Sequence, residues 1–162
     1  MTLRTHAIPR RAFTLIEAVI VVVAIAVVVP PTLLWMDDAA GQRADAANAT
    51  RASALASAVM ENILADVSSR APGLGFDALN SSSTYLNTAK TGLTARMNAV
   101  SSTYKSMGIT YSVTIGKLVD YRGAVNASPA LNAFRNITVT VQFKTSRGAS
   151  AAMTQSTLVT RL

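Results

Sequence analysis

FTLIEAVIVVVAIAVVVPPTLLWM, residues 13–36, is a long run of apolar and uncharged residues that contains one ionisable side chain, Glu17. About 20 apolar residues in helical conformation cross the hydrocarbon core of a bilayer, so this run predicts a membrane-spanning helix. A carboxylate at that depth costs roughly 3 kcal/mol, and such a group normally has a function and a partner. Glu17 is therefore the first candidate functional residue.

A short basic segment precedes the apolar run. Arg10 and Arg11 lie directly before the small residue Ala12, and Arg4 lies further upstream. Lys and Arg beside a membrane segment stay on the cytoplasmic side, so the downstream part of the chain crosses the membrane. We expect residues 1–12 to be a cytoplasmic leader.

Residues 10–20, RRAFTLIEAVI, resemble the class III signal of bacterial type IV pilins and type II secretion pseudopilins. The resemblance implies that a prepilin peptidase cuts between Ala12 and Phe13, that the Phe13 amine is methylated, and that Glu17 acts in assembly, with Arg10 and Arg11 as the basic end of the leader. Ala12 replaces the usual glycine of the family, which predicts slower cleavage.

The same resemblance implies the partners and the location of the protein. The partners would be the prepilin peptidase, other pilin or pseudopilin subunits, the inner-membrane assembly platform and membrane lipid. The protein would cross the bacterial inner membrane once and place its head on the periplasmic or extracellular side, assembled in a filament. We interpret it as a minor subunit, and the sequence leaves open whether the filament is a pilus, a secretion pseudopilus or a competence pilus.

Two other export signals share part of this pattern. Arg10 and Arg11 would suit a secretory signal cut near the Ala-Asp-Ala of residues 44–46, or a twin-arginine signal. An ordinary signal has about 7–15 apolar residues, whereas this run is longer. Glu17 would also have no role inside either signal. A signal-anchored secreted protein unrelated to pili is thus the less favoured alternative.

Pro30 and Pro31 interrupt the apolar run near its end. Proline lacks the amide hydrogen, so the pair frees two carbonyls one turn earlier and predicts a bend or a local opening of the helix. The alternative is that the membrane helix ends here and a separate helix begins. Asp37 or Asp38 is the candidate N-cap for the start of the amphipathic helix that follows.

Residues 37–70 predict an amphipathic helix. Leu55, Val59, Ile63 and Val67 repeat every four residues, which indicates one buried stripe. The polar residues expected to remain in water are Arg43, Asp45, Arg51, Glu61 and Asp66. A Pro-Gly pair just beyond residue 70 ends the helix.

Residues 71–162 predict a small globular head. The spacing of Leu93, Met97, Val100 and Tyr104 favours one short helix. Strands are expected where apolar and polar residues alternate, at residues 109–115, 137–143 and 151–160, with a long loop over residues 120–133. The predicted fold class is α+β, with a long N-terminal helix packed on a small antiparallel sheet, as in pilins.

The sequence argues against an enzyme and against a cofactor. The single histidine, His6, lies in the leader, and cysteine is absent, so the usual ligands for zinc and the usual nucleophile–base pairs are missing. Beyond residue 70 the acidic residues are Asp77 and Asp120, too few for the six to eight oxygens that calcium takes. We predict no catalytic residue, no metal site and no cofactor.

The basic excess raises nucleic acid as an alternative partner. The formal net charge is +7, of which Arg4, Arg10 and Arg11 carry three, which leaves +4 after cleavage of the leader. The basic residues of the head are Lys90, Arg96, Lys105, Lys117, Arg122, Arg135, Lys144, Arg147 and Arg161. Phosphate contacts need such an excess, but these residues are scattered and few aromatic residues lie among them. A solvated surface is favoured over a DNA-binding minor pilin of a DNA-uptake machine.

Overall fold

The N-terminal part of the computed structural model, which describes residues 14–161, is one continuous helix, α1 (Leu15–Ser68). The Oγ1 atom of Thr14 accepts a hydrogen bond from the backbone amide of Glu17 at 3.3 Å, as an N-cap residue does. Glu17 lies in the first turn, where a carboxylate interacts favourably with the helix dipole. The many alanines of the second half favour helix throughout.

Pro30 and Pro31 lie inside α1 and do not end it. The fixed φ of proline is close to the helical value, so α1 continues through both prolines, at the cost of two hydrogen bonds and of ring contacts with the carbonyls one turn earlier. The hydroxyl of Thr32 donates to the carbonyl of Val29 at 2.7 Å, one turn earlier. The alternative of a separate helix after the prolines is therefore wrong, as is the expected N-cap at Asp37 or Asp38, and the bend stays a prediction.

The chain divides into two compact units, Met1–Ala40 and Gly41–Leu162. In the first unit, residues 15–40 of α1 expose their side chains on all sides, and Leu15 is 84 % exposed. An 18-residue window of α1 has a mean hydropathy of 2.6. This segment is long and apolar enough to span a membrane.

In the second unit, the C-terminal half of α1 packs on a β-sheet. Leu55, Val59 and Ile63 are fully buried, which confirms the predicted stripe. They share one core with the apolar side chains of the central strand, Ile137, Val139, Val141 and Phe143. Asp45, half-buried, accepts hydrogen bonds from the amide and the hydroxyl of Ser146 and ties α1 to a turn of the sheet.

The sheet has three antiparallel strands in the order β1 (Thr110–Val119), β2 (Phe134–Lys144) and β3 (Ser150–Thr160). The register between β2 and β3 is unbroken, whereas β1 has an irregularity between Ile115 and Leu118. A tight turn joins β2 to β3, and Gly148 adopts the positive φ of 78° that this turn needs. The predicted strands and the α+β class are confirmed.

Three short helices complete the second unit: α2 (Ser82–Asn87), α3 (Leu93–Arg96) and α4 (Asn98–Ser106). One turn of 3-10 helix precedes α2 at Phe76–Asn80, and another lies in the loop before β2 at Pro129–Leu131.

The single helix predicted around residues 93–104 is wrong in one respect. Met97 has ψ of −5°, which ends α3 before α4 begins. Leu93 and Met97 are buried and Tyr104 packs partly buried against the core, whereas Val100 is 42 % exposed.

Candidate functional site

Only some of the functional residues predicted from the sequence lie within the part of the chain that the structure describes. Arg10, Arg11, Ala12 and Phe13 lie outside the described residues. Glu17 is described, and its side chain is exposed in the first turn of α1. No basic residue pairs with it in the part of the chain that the structure describes. Its carboxylate is therefore available to a group outside residues 14–161.

The surroundings of Glu17 are apolar. Leu15, Ile16, Val19 and Ile20 are all more than half exposed. In a medium of low dielectric a lone carboxylate is costly, and a cation brought within a few ångströms would be strongly attracted. An isolated carboxylate on an apolar helix can thus select a partner by charge. It does not by itself form a catalytic centre.

The described residues hold no cluster of three or more histidine, cysteine or acidic side chains that could bind a metal ion. The two acids of the head have structural partners instead. The carboxylate of Asp77 pairs with Arg161. The Oδ1 atom of Asp120 accepts hydrogen bonds from the amides of Arg122 at 2.9 Å and Ala124 at 3.2 Å, a turn-stabilising arrangement.

Hydrogen bonds to the carboxylate of Asp120 lower its pKa. Burial raises the pKa of this carboxyl, but the hydrogen bonds from the amides of Ala124 and Arg122 favour the charged form and leave the pKa below its ordinary value. Asp120 therefore stabilises the loop after β1 as a carboxylate.

A buried ionic network that the sequence analysis missed joins three helices. Asp66 lies near the end of α1 with only 7 % of its side chain exposed. Its Oδ2 atom accepts a hydrogen bond of 2.6 Å from the hydroxyl of Tyr85 in α2, and its Oδ1 atom accepts one of 2.8 Å from Nη1 of Arg96 in α3. The Nη2 atom of Arg96 also donates to Oδ2, so the arginine pair is bidentate.

The expectation that Asp66 remains in water is wrong. Asp66 lies three residues after Ile63 and one before Val67, which places it on the buried face of α1. That spacing is a signal in the sequence, but only the fold shows that Tyr85 and Arg96 compensate the charge. The carbonyl of Asp66 also accepts the amide of Gly75 at 2.9 Å, which fixes the chain after α1.

The pKa values of both partners of Asp66 are raised in this network. Burial raises the pKa of Tyr85, the Asp66 carboxylate raises it further, and the Arg96 guanidinium opposes this in part. The hydrogen bond to Asp66 raises the pKa of Arg96 in spite of the desolvation that lowers it. Tyr85 is thus held neutral and Arg96 charged.

We predict an alkaline loss of stability that depends on Tyr85. A tyrosine whose pKa is raised in the folded state contributes stability that is fully present below its unfolded pKa of about 10 and is lost as the pH rises above that value. The difference in unfolding free energy between wild type and Tyr85→Phe should shrink between about pH 8 and pH 11. Urea denaturation at both pH values measures it, and a constant difference would contradict the assignment.

Several basic side chains of the head interact with other residues of the head. Arg96 and Arg161 are paired with acids, and Arg122 lies 5.1 Å from the ring centre of Tyr121. Arg135 is buried, and its guanidinium donates to the carbonyl of Gly116 at 2.8 Å and to Asn80. Burial lowers the pKa of Arg135. Arg96, Arg122, Arg135 and Arg161 are therefore less available for contacts with nucleic acid than the sequence suggests.

Comparison of the chain with protein-family models, with curated proteins and with solved structures finds no match.

Proposed function

We propose that the protein is a minor pilin or pseudopilin, a structural subunit that enters a type IV pilus or a type II secretion pseudopilus through α1. The observation that carries the proposal is Glu17, a single exposed carboxylate in the first turn of an apolar helix. The basic segment Arg10-Arg11 and the cleavage position between Ala12 and Phe13 stand directly before it in the sequence.

The division of α1 supports the same proposal. One end of the helix is apolar and exposed, which suits a membrane before assembly and the interior of a filament after it. The other end is buried against the three-stranded sheet and carries the head. A filament subunit needs both ends, because one joins it to its neighbours and the other displays the head at the surface.

Assembly would proceed by charge pairing. Cleavage by prepilin peptidase before Phe13 creates a new amino terminus four residues ahead of Glu17, about 6 Å along a helix. The Phe13 ammonium of an entering subunit would pair with the Glu17 carboxylate of a neighbour or of its own chain. Because either charge alone is costly in an apolar filament, pairing stabilises the correct axial register and disfavours others.

The DNA-uptake alternative has less support. Non-specific binding of DNA depends on basic side chains that are free to contact phosphates. Arg96 and Arg161 are neutralised by acids and Arg135 is buried, so the surface charge is smaller than the sequence suggests.

Processing at residue 12 provides the test of this proposal. Because the family normally has glycine before the cut, Ala12→Gly should accelerate cleavage by a purified prepilin peptidase, and the bulky Ala12→Leu should block it. Cleavage of the full chain in detergent micelles is followed by intact mass. A cut that forms at another position, or one that ignores both substitutions, would contradict a pilin-type signal.

A further inference from the structure

A cavity of about 590 Å³ opens in the head beside the Asp66 network. It lies between the 3-10 turn at Phe76–Asn80, helix α2 and the loop that leads into α3. Natural sites for small ligands have volumes of about 300–1,000 Å³, so its size is adequate for one. Four hydroxyl-bearing residues, Ser81, Thr84, Thr88 and Thr91, are part of its lining, together with the polar residues Asp77, Tyr85, Lys90 and Arg96.

Lys90 lines the cavity in an unfavourable backbone conformation. Its φ is 71°, and within residues 14–161 no other non-glycine residue has a positive φ. Glycine or asparagine normally occupies such a position, because a Cβ atom crowds the following carbonyl oxygen there and asparagine compensates with a local hydrogen bond. A lysine in this conformation points to a use for its ammonium group.

The loop that carries Lys90 is held in place from both ends. The amide of Gly92 donates to the carbonyl of Thr88 at 2.8 Å, and a Cβ atom on Gly92 would lie 2.6 Å from the amide nitrogen of Thr88. The Nε atom of Arg96 donates to the carbonyl of Thr91 at 3.1 Å. A loop fixed in this way orders little on binding, which favours affinity.

The charges around the cavity leave one cation without compensation. The charge of Arg96 is balanced by Asp66, and that of Asp77 by Arg161. Lys90 is exposed and has no acidic partner among the described residues. Arg96 uses three of its five N–H groups on Asp66 and Thr91, which leaves two donors. The cavity therefore suits a ligand with one negative charge and several hydroxyl groups.

We infer that this cavity binds a sugar acid, a small molecule that carries one carboxylate and several hydroxyls. Lys90 pairs with the carboxylate, and the serine and threonine hydroxyls exchange hydrogen bonds with those of the ligand. The inference concerns the head alone and does not depend on the filament role proposed for α1.

Three probes separate the parts of this chemistry. The full-length ¹⁵N-labelled chain in detergent micelles is titrated with sodium glucuronate, with glucose, which lacks the carboxylate, and with acetate, which lacks the hydroxyls. We expect glucuronate to shift the amide resonances of residues 81–92 with a Kd at least tenfold lower than that of either control. No shift with glucuronate, or equal affinity for acetate or glucose, would overturn the inference.

Two substitutions at one position test the role of Lys90. Lys90→Gly relieves the backbone conformation and removes the ammonium, so the Tm should rise while the affinity for glucuronate falls at least tenfold. Lys90→Arg keeps the charge, so its affinity should stay within about threefold of wild type. A variant Lys90→Gly that gains stability and still binds glucuronate as wild type would show that the ammonium has no such use.

Discussion

Replacing Asp66 with asparagine is expected to lower the free energy of unfolding by about 3 kcal/mol. The substitution keeps the volume of the side chain but removes the charge that Arg96 and Tyr85 both contact. Loss of one member of a buried pair leaves the other without compensation, which costs about 3–5 kcal/mol when the pair is fully buried. The lower end applies because the side chain of Arg96 is 31 % exposed. Urea denaturation of the full chain in detergent micelles measures the change.

Asp77 provides the matched control for Asp66. It also pairs with an arginine, Arg161, but the two side chains are 64 % and 69 % exposed. Exposed ion pairs contribute between about 0 and 1 kcal/mol, so Asp77→Asn should have a small effect. Equal losses in the two variants would show that burial does not distinguish the pairs and that the Asp66 network is not a principal contact of the head.

Replacing Glu17 with alanine is expected to leave cleavage before Phe13 intact and to reduce incorporation into filaments by about tenfold or more, the effect of roughly 1.4 kcal/mol of lost pairing. The reason is that an uncompensated Phe13 ammonium would enter an apolar filament without its carboxylate. Fractionation of sheared filaments from membranes, followed by quantitative immunoblotting, separates processing from incorporation.

Glu61 serves as the control for Glu17. It is an exposed glutamate in the same helix, on the part that packs on the sheet. Glu61→Ala removes the same charge and should leave both cleavage and incorporation near wild type. Normal incorporation of Glu17→Ala would contradict the assembly role of this carboxylate.

Local periodicity predicts much of this fold. The spacing of Leu55, Val59 and Ile63 defines the buried face of α1, and the structure confirms it. The alternation around Val139 predicts a strand with one buried face, and β2 has that pattern. Both signals are local, since the period of a helix or a strand appears within about 10 residues.

Contacts between distant residues explain what the sequence did not predict. The partners of Asp66 are Tyr85 and Arg96, 19 and 30 residues away, and no local pattern reports such a distance. The cavity proposed to bind a sugar acid also depends on contacts between distant residues. It forms where the chain after α1 folds back, and the positive φ of Lys90 belongs to that part of the fold. Pro30 and Pro31 left open whether the membrane helix ends, and α1 continues through both, since the φ of proline is compatible with a helix.

The start of the mature chain tests the central claim most directly. N-terminal sequencing and intact mass on protein recovered from its native membrane would identify it. Cleavage by a prepilin peptidase predicts a chain that begins at Phe13, with a methyl group on its amine. A chain that begins near Ala47, or one that retains Met1, would contradict the pilin assignment and remove the assembly role of Glu17.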